Sequence, residues 1–137
     1  MQLVELRIPT DTREVFVDIT ARVQAAITDE APSLDGIVHI FIPHTTAGIT
    51  INEGADPSVC RDMIEGLRRL VPRVADYDHV EGNSDAHIKA GLMGAELAVP
   101  VKAGRLHLGT WQSIYLAEFD GPRRRTVWVI LPNSSRS

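Results

Sequence analysis

The chain has 137 residues, 44% of them hydrophobic, the size and apolar content of one domain around one core. Its 14 basic and 18 acidic residues leave a net charge of -4, so no overall attraction draws it to nucleic acid or to an anionic membrane. Cys60 is the only cysteine, which excludes an intramolecular disulfide framework and a cysteine zinc cluster; with no signal-like or membrane-spanning run, a cytoplasmic protein is expected.

Taken in chain order, Val4, Leu6 and Ile8 alternate with Leu3, Glu5 and Arg7 and predict a half-buried strand, with "REVFVDI" as a second. A helix follows, capped by Asp18 or Thr20, on which Ile19, Val23 and Ile27 recur every fourth residue. "GIVHIFI" is apolar on both faces except at His39 and reads as a central strand, with "AGITIN" as its expected partner. Asp56 and Pro57 start the next helix, since the carboxylate accepts free amide hydrogens and proline loses no bond in the first turn. Met63, Leu67 and Leu70, with Val59 and Ile64, form its expected buried stripe. "NSDAHIKAGLMG" predicts a third helix, capped by Asn83 or Ser84 and stopped at Gly94. Three β runs close the chain, "AELAVPV", "RLHLGTWQSIYLAEF" and "RTVWVIL", and the turn residues between them predict an antiparallel meander before a frayed tail, "PNSSRS". This order favours an α+β fold with a mainly antiparallel sheet or barrel-like layer and three helices, in one domain spanning residues 1–137.

Polar residues without an evident structural duty are the candidates for chemistry. His44 precedes "TTA", His79 lies in the loop "DYDHVEGNSD", and His87 stands early in the third helix. Neutral imidazole is a common zinc ligand, and three leave a fourth position for water or substrate; equally, each fits a surface or hydrogen-bonded histidine. His39 and His107 interrupt apolar strands and are expected to face solvent. Asn52 and Glu53 follow a strand, and a carboxylate near imidazoles takes a proton, orients a ring or holds a metal. "EGNSDAHIK" places Asn83, Ser84 and Lys89 at a helix start, where unpaired amides suit an anion or a plain cap. Gln112, polar in an apolar run, is expected to project into a cavity, and Trp111 to lie in the core. Arg123, Arg124 and Arg125 follow a turn; such a cluster is ordinarily solvated, yet arginine is also the side chain best suited to phosphate.

Three separated motifs, "HTTAGITINEGADPSV", "DHVEGNSDAHIKAGLMG" and "GRLHLGTWQSIYLAEFDGPRRR", occur in the order that resembles the YjbQ-like family, small proteins associated with secondary thiamine-phosphate synthase activity. The resemblance implies an α+β fold, a homotrimer with sites near subunit contacts, and convergence of His44, His79 and His87 around a divalent metal, zinc by ligand type or magnesium by diphosphate chemistry. It also implies catalytic or surrounding roles for Asn52, Glu53 and Gln112, and a substrate-binding role for Asn83. Ser84, Lys89 and Arg123 are the residues expected to complete the binding of a phosphorylated small molecule. The implied reaction joins hydroxymethylpyrimidine diphosphate to a thiazole phosphate and releases diphosphate. A metal-dependent hydrolase and a non-catalytic metabolite- or metal-binding module are the alternatives.

Overall fold

The computed structural model describes residues 1–133, so residues 134–137 of the expected frayed tail lie outside it. The described elements follow in the order β1 (Gln2–Pro9), β2 (Val15–Asp18), α1 (Thr20–Glu30), β3 (Gly36–Phe41), β4 (Ala47–Glu53), α2 (Pro57–Leu70), α3 (Ser84–Met93), β5 (Glu96–Lys102), β6 (Arg105–Leu106), β7 (Gln112–Glu118) and β8 (Arg124–Leu131). The strands form two antiparallel sheets, one ordered β1-β8-β3-β5-β6 and the other β2-β7-β4. The expected α+β architecture is therefore correct.

Alternation explains the layers. Val38 and Ile40 of β3, Val127 and Val129 of β8, and Ile114 and Leu116 of β7 are all fully buried and meet in the main core between the sheets. Helix α1 closes that core with Val23 and Ile27, the spacing of four that the sequence carries. Strand β7 is covered on both sides, because Tyr115 and Ala117 turn the other way into a second cluster with Phe16, Phe119, Ala86 and Ala90. Gly48 permits helix α3 to lie against β4: a Cβ there would meet the Gly94 carbonyl at 2.8 Å and the Met93 Cβ at 2.9 Å. Gly94 itself ends α3 at φ 92, a conformation that favours glycine.

Several expectations are corrected by this arrangement. Strand β4 does not pair with β3, because β5 and β8 already fill both edges of β3. The chain instead crosses between sheets over Ile42 to Thr46. The C-terminal runs do not form one meander either. After the short β5–β6 hairpin, the Gly109 amide donates to Gln112 Oε1 at 2.8 Å, turning the chain into the second sheet, while β8 returns to the first. Helix α2 begins as predicted, with Asp56 Oδ1 accepting the Ser58 amide at 2.9 Å, but none of its residues is fully buried. Met63, Ile64 and Leu67 cover the edge of the second cluster, and Leu70 is 77% exposed. Trp111, expected in the core, is 65% exposed. Among the described residues, no helix is long and apolar enough to cross a membrane.

Truncating Ile40, which is 0% exposed, by Ile40→Ala is expected to cost about 2–5 kcal/mol in urea denaturation. Leu70→Ser at the open end of α2 should change stability by less than about 0.5 kcal/mol.

Candidate functional site

A cleft of about 450 Å³ opens where the β3–β4 crossover, the loop before α3 and the turn into β8 meet. His44, Thr45 and Thr46 line it from the first segment, His79, Asn83 and His87 from the second, and Arg123 and Arg125 from the third. The three histidines singled out in the sequence thus share one pocket. The rings of His79 and His87 meet edge to face with centroids 5.3 Å apart.

The wall of this cleft is set by a buried ion pair. Arg125 is 3% exposed and donates from Nε to Glu118 Oε1 at 2.8 Å, and from Nη2 to Glu118 Oε2 and to Thr46 Oγ1, the latter at 2.8 Å. Thr10 also donates to Glu118 Oε1, at 2.7 Å, and the Asp120 amide donates to Oε2 at 3.0 Å. Burial opposes ionisation of Glu118, but the bonds from Arg125, Thr10 and the Asp120 amide outweigh it and hold the carboxyl below its ordinary range. One residue beyond Arg125, the Thr126 amide donates to His44 Nε2 at 2.9 Å. That bond consumes the lone pair of a neutral ring, so the proton resides on Nδ1. Burial first, and then the Arg125 charge, push the His44 pKa down from 6.5, which keeps the ring neutral at pH 7.

The opposite wall belongs to α3. Asn83 does not cap the helix through its side chain; its Nδ2 donates to Asp120 Oδ2 at 2.9 Å, and Asp120 in turn accepts from Arg123 Nη2 at 2.9 Å. Beneath the helix, Arg13 donates to both oxygens of Asp85, at 3.2 and 3.0 Å, while Lys89 Nζ donates to Asp85 and to Glu14, both at 2.8 Å. Arg68 of α2 completes the group on Glu14 at 2.7 Å. Burial raises the Asp85 pKa, but bonds from Arg13 and Lys89 reverse the shift and hold it low.

Other sequence candidates lie outside the cleft. Lys89 is 1% exposed and spent on carboxylates, so within this chain it is a structural cation and not a substrate contact. Glu53 lies across from Gln112 in the β4–β7 register, six residues along the strand from Ala47, which is roughly 20 Å at strand rise. It also has the structural duty the sequence did not reveal: its Oε2 accepts the Ala55 amide at 2.7 Å. Asn52 Oδ1 accepts the Glu53 amide at 2.8 Å, and Gln112 serves its own turn instead of projecting into the cleft. Ser84 lines an apolar hollow of about 400 Å³ beside the cleft, with Tyr77 and Ile88. Exposed His39 pairs with Glu96 at 3.0 Å, and His107 is exposed, both as expected. Sequence reasoning missed Glu118 and Asp120; the one signal was a carboxylate closing the apolar run "SIYLAE".

A three-imidazole metal site does not fit this arrangement. Ligation by His44 Nε2 would need the lone pair that Thr126 holds, and ligation by Nδ1 would require loss of the proton that the same bond places there. Among the described residues, no group of three histidine, cysteine, aspartate or glutamate side chains stands as a metal-binding cluster.

The fold and cleft define a two-sheet α+β domain with a polar pocket built from imidazole, guanidinium and amide groups. The chain belongs to the YjbQ-like UPF0047 family, whose pattern matches residues 4–133. The UPF0047 protein of Methanocaldococcus jannaschii is 53% identical over 127 residues, covering 93% of this chain and 91% of that protein. YugU of Bacillus subtilis, another UPF0047 protein, is 48% identical over 125 residues, covering 90% and 94%. The crystal structure of an uncharacterized conserved YjbQ/UPF0047 protein of Clostridium acetobutylicum superposes with a TM-score of 0.89 at 52% identity, covering 93% and 99%.

The pH dependence of stability follows from the depressed carboxylates. Their folded pKa values lie below the ordinary 3.8 of Asp85 and 4.5 of Glu118, so their contribution is complete above those values and is lost as pH falls through the folded ones. Urea stability is therefore expected to hold from pH 7 to about 5 and to drop on further acidification. Glu118→Gln should flatten part of that drop and cost about 3–5 kcal/mol at pH 7, because it strands the buried Arg125.

Proposed function

We propose that this chain is an enzyme acting on a small phosphorylated substrate in the cleft, with thiamine-phosphate formation as the named candidate reaction. The observation that supports it is the gathering of His44, His79, His87, Asn83, Arg123 and Arg125 from three distant segments around one pocket. In that reaction the thiazole nitrogen attacks the methylene carbon of hydroxymethylpyrimidine diphosphate, a C–N bond forms, and the C–O electrons leave with diphosphate. No side chain has to be deprotonated to make the nucleophile. What the protein must supply is orientation of the two substrates and fixed donors for the charge that grows on the leaving oxygen. Arg123 and Arg125, held by Asp120 and Glu118, and the neutral His44 ring are suited to that task. His79 and His87 stand at the side of the cleft that adjoins the apolar hollow, where a ring would lie. The homotrimer implied by the family resemblance is part of the same proposal, and sedimentation at about three times the 15.1 kDa chain mass checks it.

Incubation with both substrates should release diphosphate and form thiamine phosphate, and His87→Ala should lower kcat by about 100-fold or more with its melting temperature little changed. Release of inorganic phosphate or alcohol from single phosphate esters, with no coupled product, would assign the hydrolase instead. Ligand-dependent thermal stabilisation without any product would assign the binding module. Stoichiometric zinc in purified protein, lost with both His44→Ala and activity, would restore the three-imidazole metal centre.

A further inference from the structure

The donors that the fold leaves unused in this cleft belong to a small set of atoms. His44 spends Nε2 on the Thr126 amide, and Nδ1, which carries the proton, has no protein partner among the described residues. Arg125 spends Nε and Nη2 on Glu118 and Thr46, and Arg123 spends Nε and Nη2 on Asp120; neither Nη1 has an acceptor among the described residues. Among the described residues, the buried side-chain atoms without a partner are Asn83 Oδ1 and Trp128 Nε1, and neither the His44 Nδ1 nor the Arg125 Nη1 is one of them. The His44 Nδ1–H and the Arg125 Nη1 therefore reach open space, and the space these residues line is the cleft.

From this we infer that His44 is a tautomer-locked hydrogen-bond donor which, with Arg123 and Arg125, forms an oxyanion cradle for a phosphate group, and that it is not a metal ligand. The ring is held by a backbone amide and the buried Arg125 guanidinium by Glu118, while Arg123, whose side chain is 51% exposed, is oriented by two bonds to Asp120. Fixed donors of this kind recognise oxygen atoms at low ordering cost. Glu81, the carboxylate lining the cleft, has a side chain 70% exposed and lies 3.8 Å from His79 Nε2, so solvent screens much of its charge from the cradle. Burial and the Arg125 charge favour the neutral ring, which keeps a single N–H fixed in direction across the neutral pH range. The inference rests on this cleft being the functional site, and not on the particular reaction proposed for it.

The test uses the full chain and inorganic phosphate as probe. At pH 7, nitrogen NMR of the histidines should read His44 as the Nδ1–H tautomer, and phosphate titration should shift that resonance. His44→Asn keeps an amide donor near the Nδ1 position and should hold phosphate affinity within about threefold. His44→Gln restores an acceptor for Thr126 but removes the Nδ1 donor, and should weaken binding about tenfold or more. An Nε2–H tautomer, an unmoved His44 resonance under phosphate, or zinc that binds stoichiometrically and perturbs His44 would overturn the cradle, and the wild-type spectra decide this even if a variant fails to fold. Phosphate binding in this pattern without turnover of any phosphorylated substrate would remove the proposed reaction and leave the cradle standing. Turnover with the Nε2–H tautomer would do the reverse.

Discussion

The Glu118–Arg125 pair ties the two sheets together at the place where function is proposed. Glu118 ends β7 in the second sheet, Arg125 lies in β8 of the first, and Thr46 on the crossover between sheets accepts from the same guanidinium. Both charges are almost fully buried. A buried charge is tolerated only when its partner and its remaining lone pairs are satisfied, and here Thr10 and the Asp120 amide complete the carboxylate. Two apolar residues of similar volume would serve stability as well. What they would not do is fix the crossover loop against β8, and so place the His44 ring under the Thr126 amide.

The second polar group plays the same part for the opposite wall. Arg13, Glu14, Arg68, Asp85 and Lys89 join the β1–β2 loop, α2 and α3, and the two most buried members, Asp85 and Lys89, are one turn apart on α3. His87 stands between them in sequence and faces away from them, into the cleft. Helix α3 is short and small-residued on its packed side, with Ala86 and Ala90 meeting the second cluster, so apolar contact alone gives it little purchase. The ion network supplies an orientation that its alanines cannot. An oriented α3 is what brings His87 to His79.

Elements were readable in the sequence wherever one periodic face meets one neighbour. The alternation of Val4, Leu6 and Ile8, the spacing of Ile19, Val23 and Ile27, and the Asp56–Pro57 start all appear as expected, because each is decided within a few residues. Pairing was not readable in the same way. "GIVHIFI" and "AGITIN" are neighbours in the chain but belong to different sheets, since the edges of β3 go to strands some sixty and ninety residues later. The site shows the same division. Family motifs pointed to His44, His79 and His87, which do share a pocket, whereas Glu53 and Lys89 looked free because their partners, the Ala55 amide, Glu14 and Asp85, become partners only through local turn geometry or long-range packing.

The consequence for chemistry is that the functional capacity of this cleft is what remains after the fold has taken its share. Both oxygens of Glu118 and Thr46 Oγ1 already accept from Arg125, Asp120 Oδ2 accepts from Asn83 and Arg123, and the one lone pair of the His44 ring is engaged. Three donors on this wall stay unspent among the described residues: one imidazole N–H and the outer edges of two guanidiniums. A wall of donors recognises an oxygen-rich anion and repels a bare metal ion, whatever the ligand count of its histidines suggests. His79 and His87 are differently placed, on a loop and a helix face with no backbone amide pinning a ring nitrogen among the described residues. Of the three rings, His44 is therefore the one whose orientation a main-chain bond sets among the described residues, and that single amide distinguishes its place in the cleft wall from theirs.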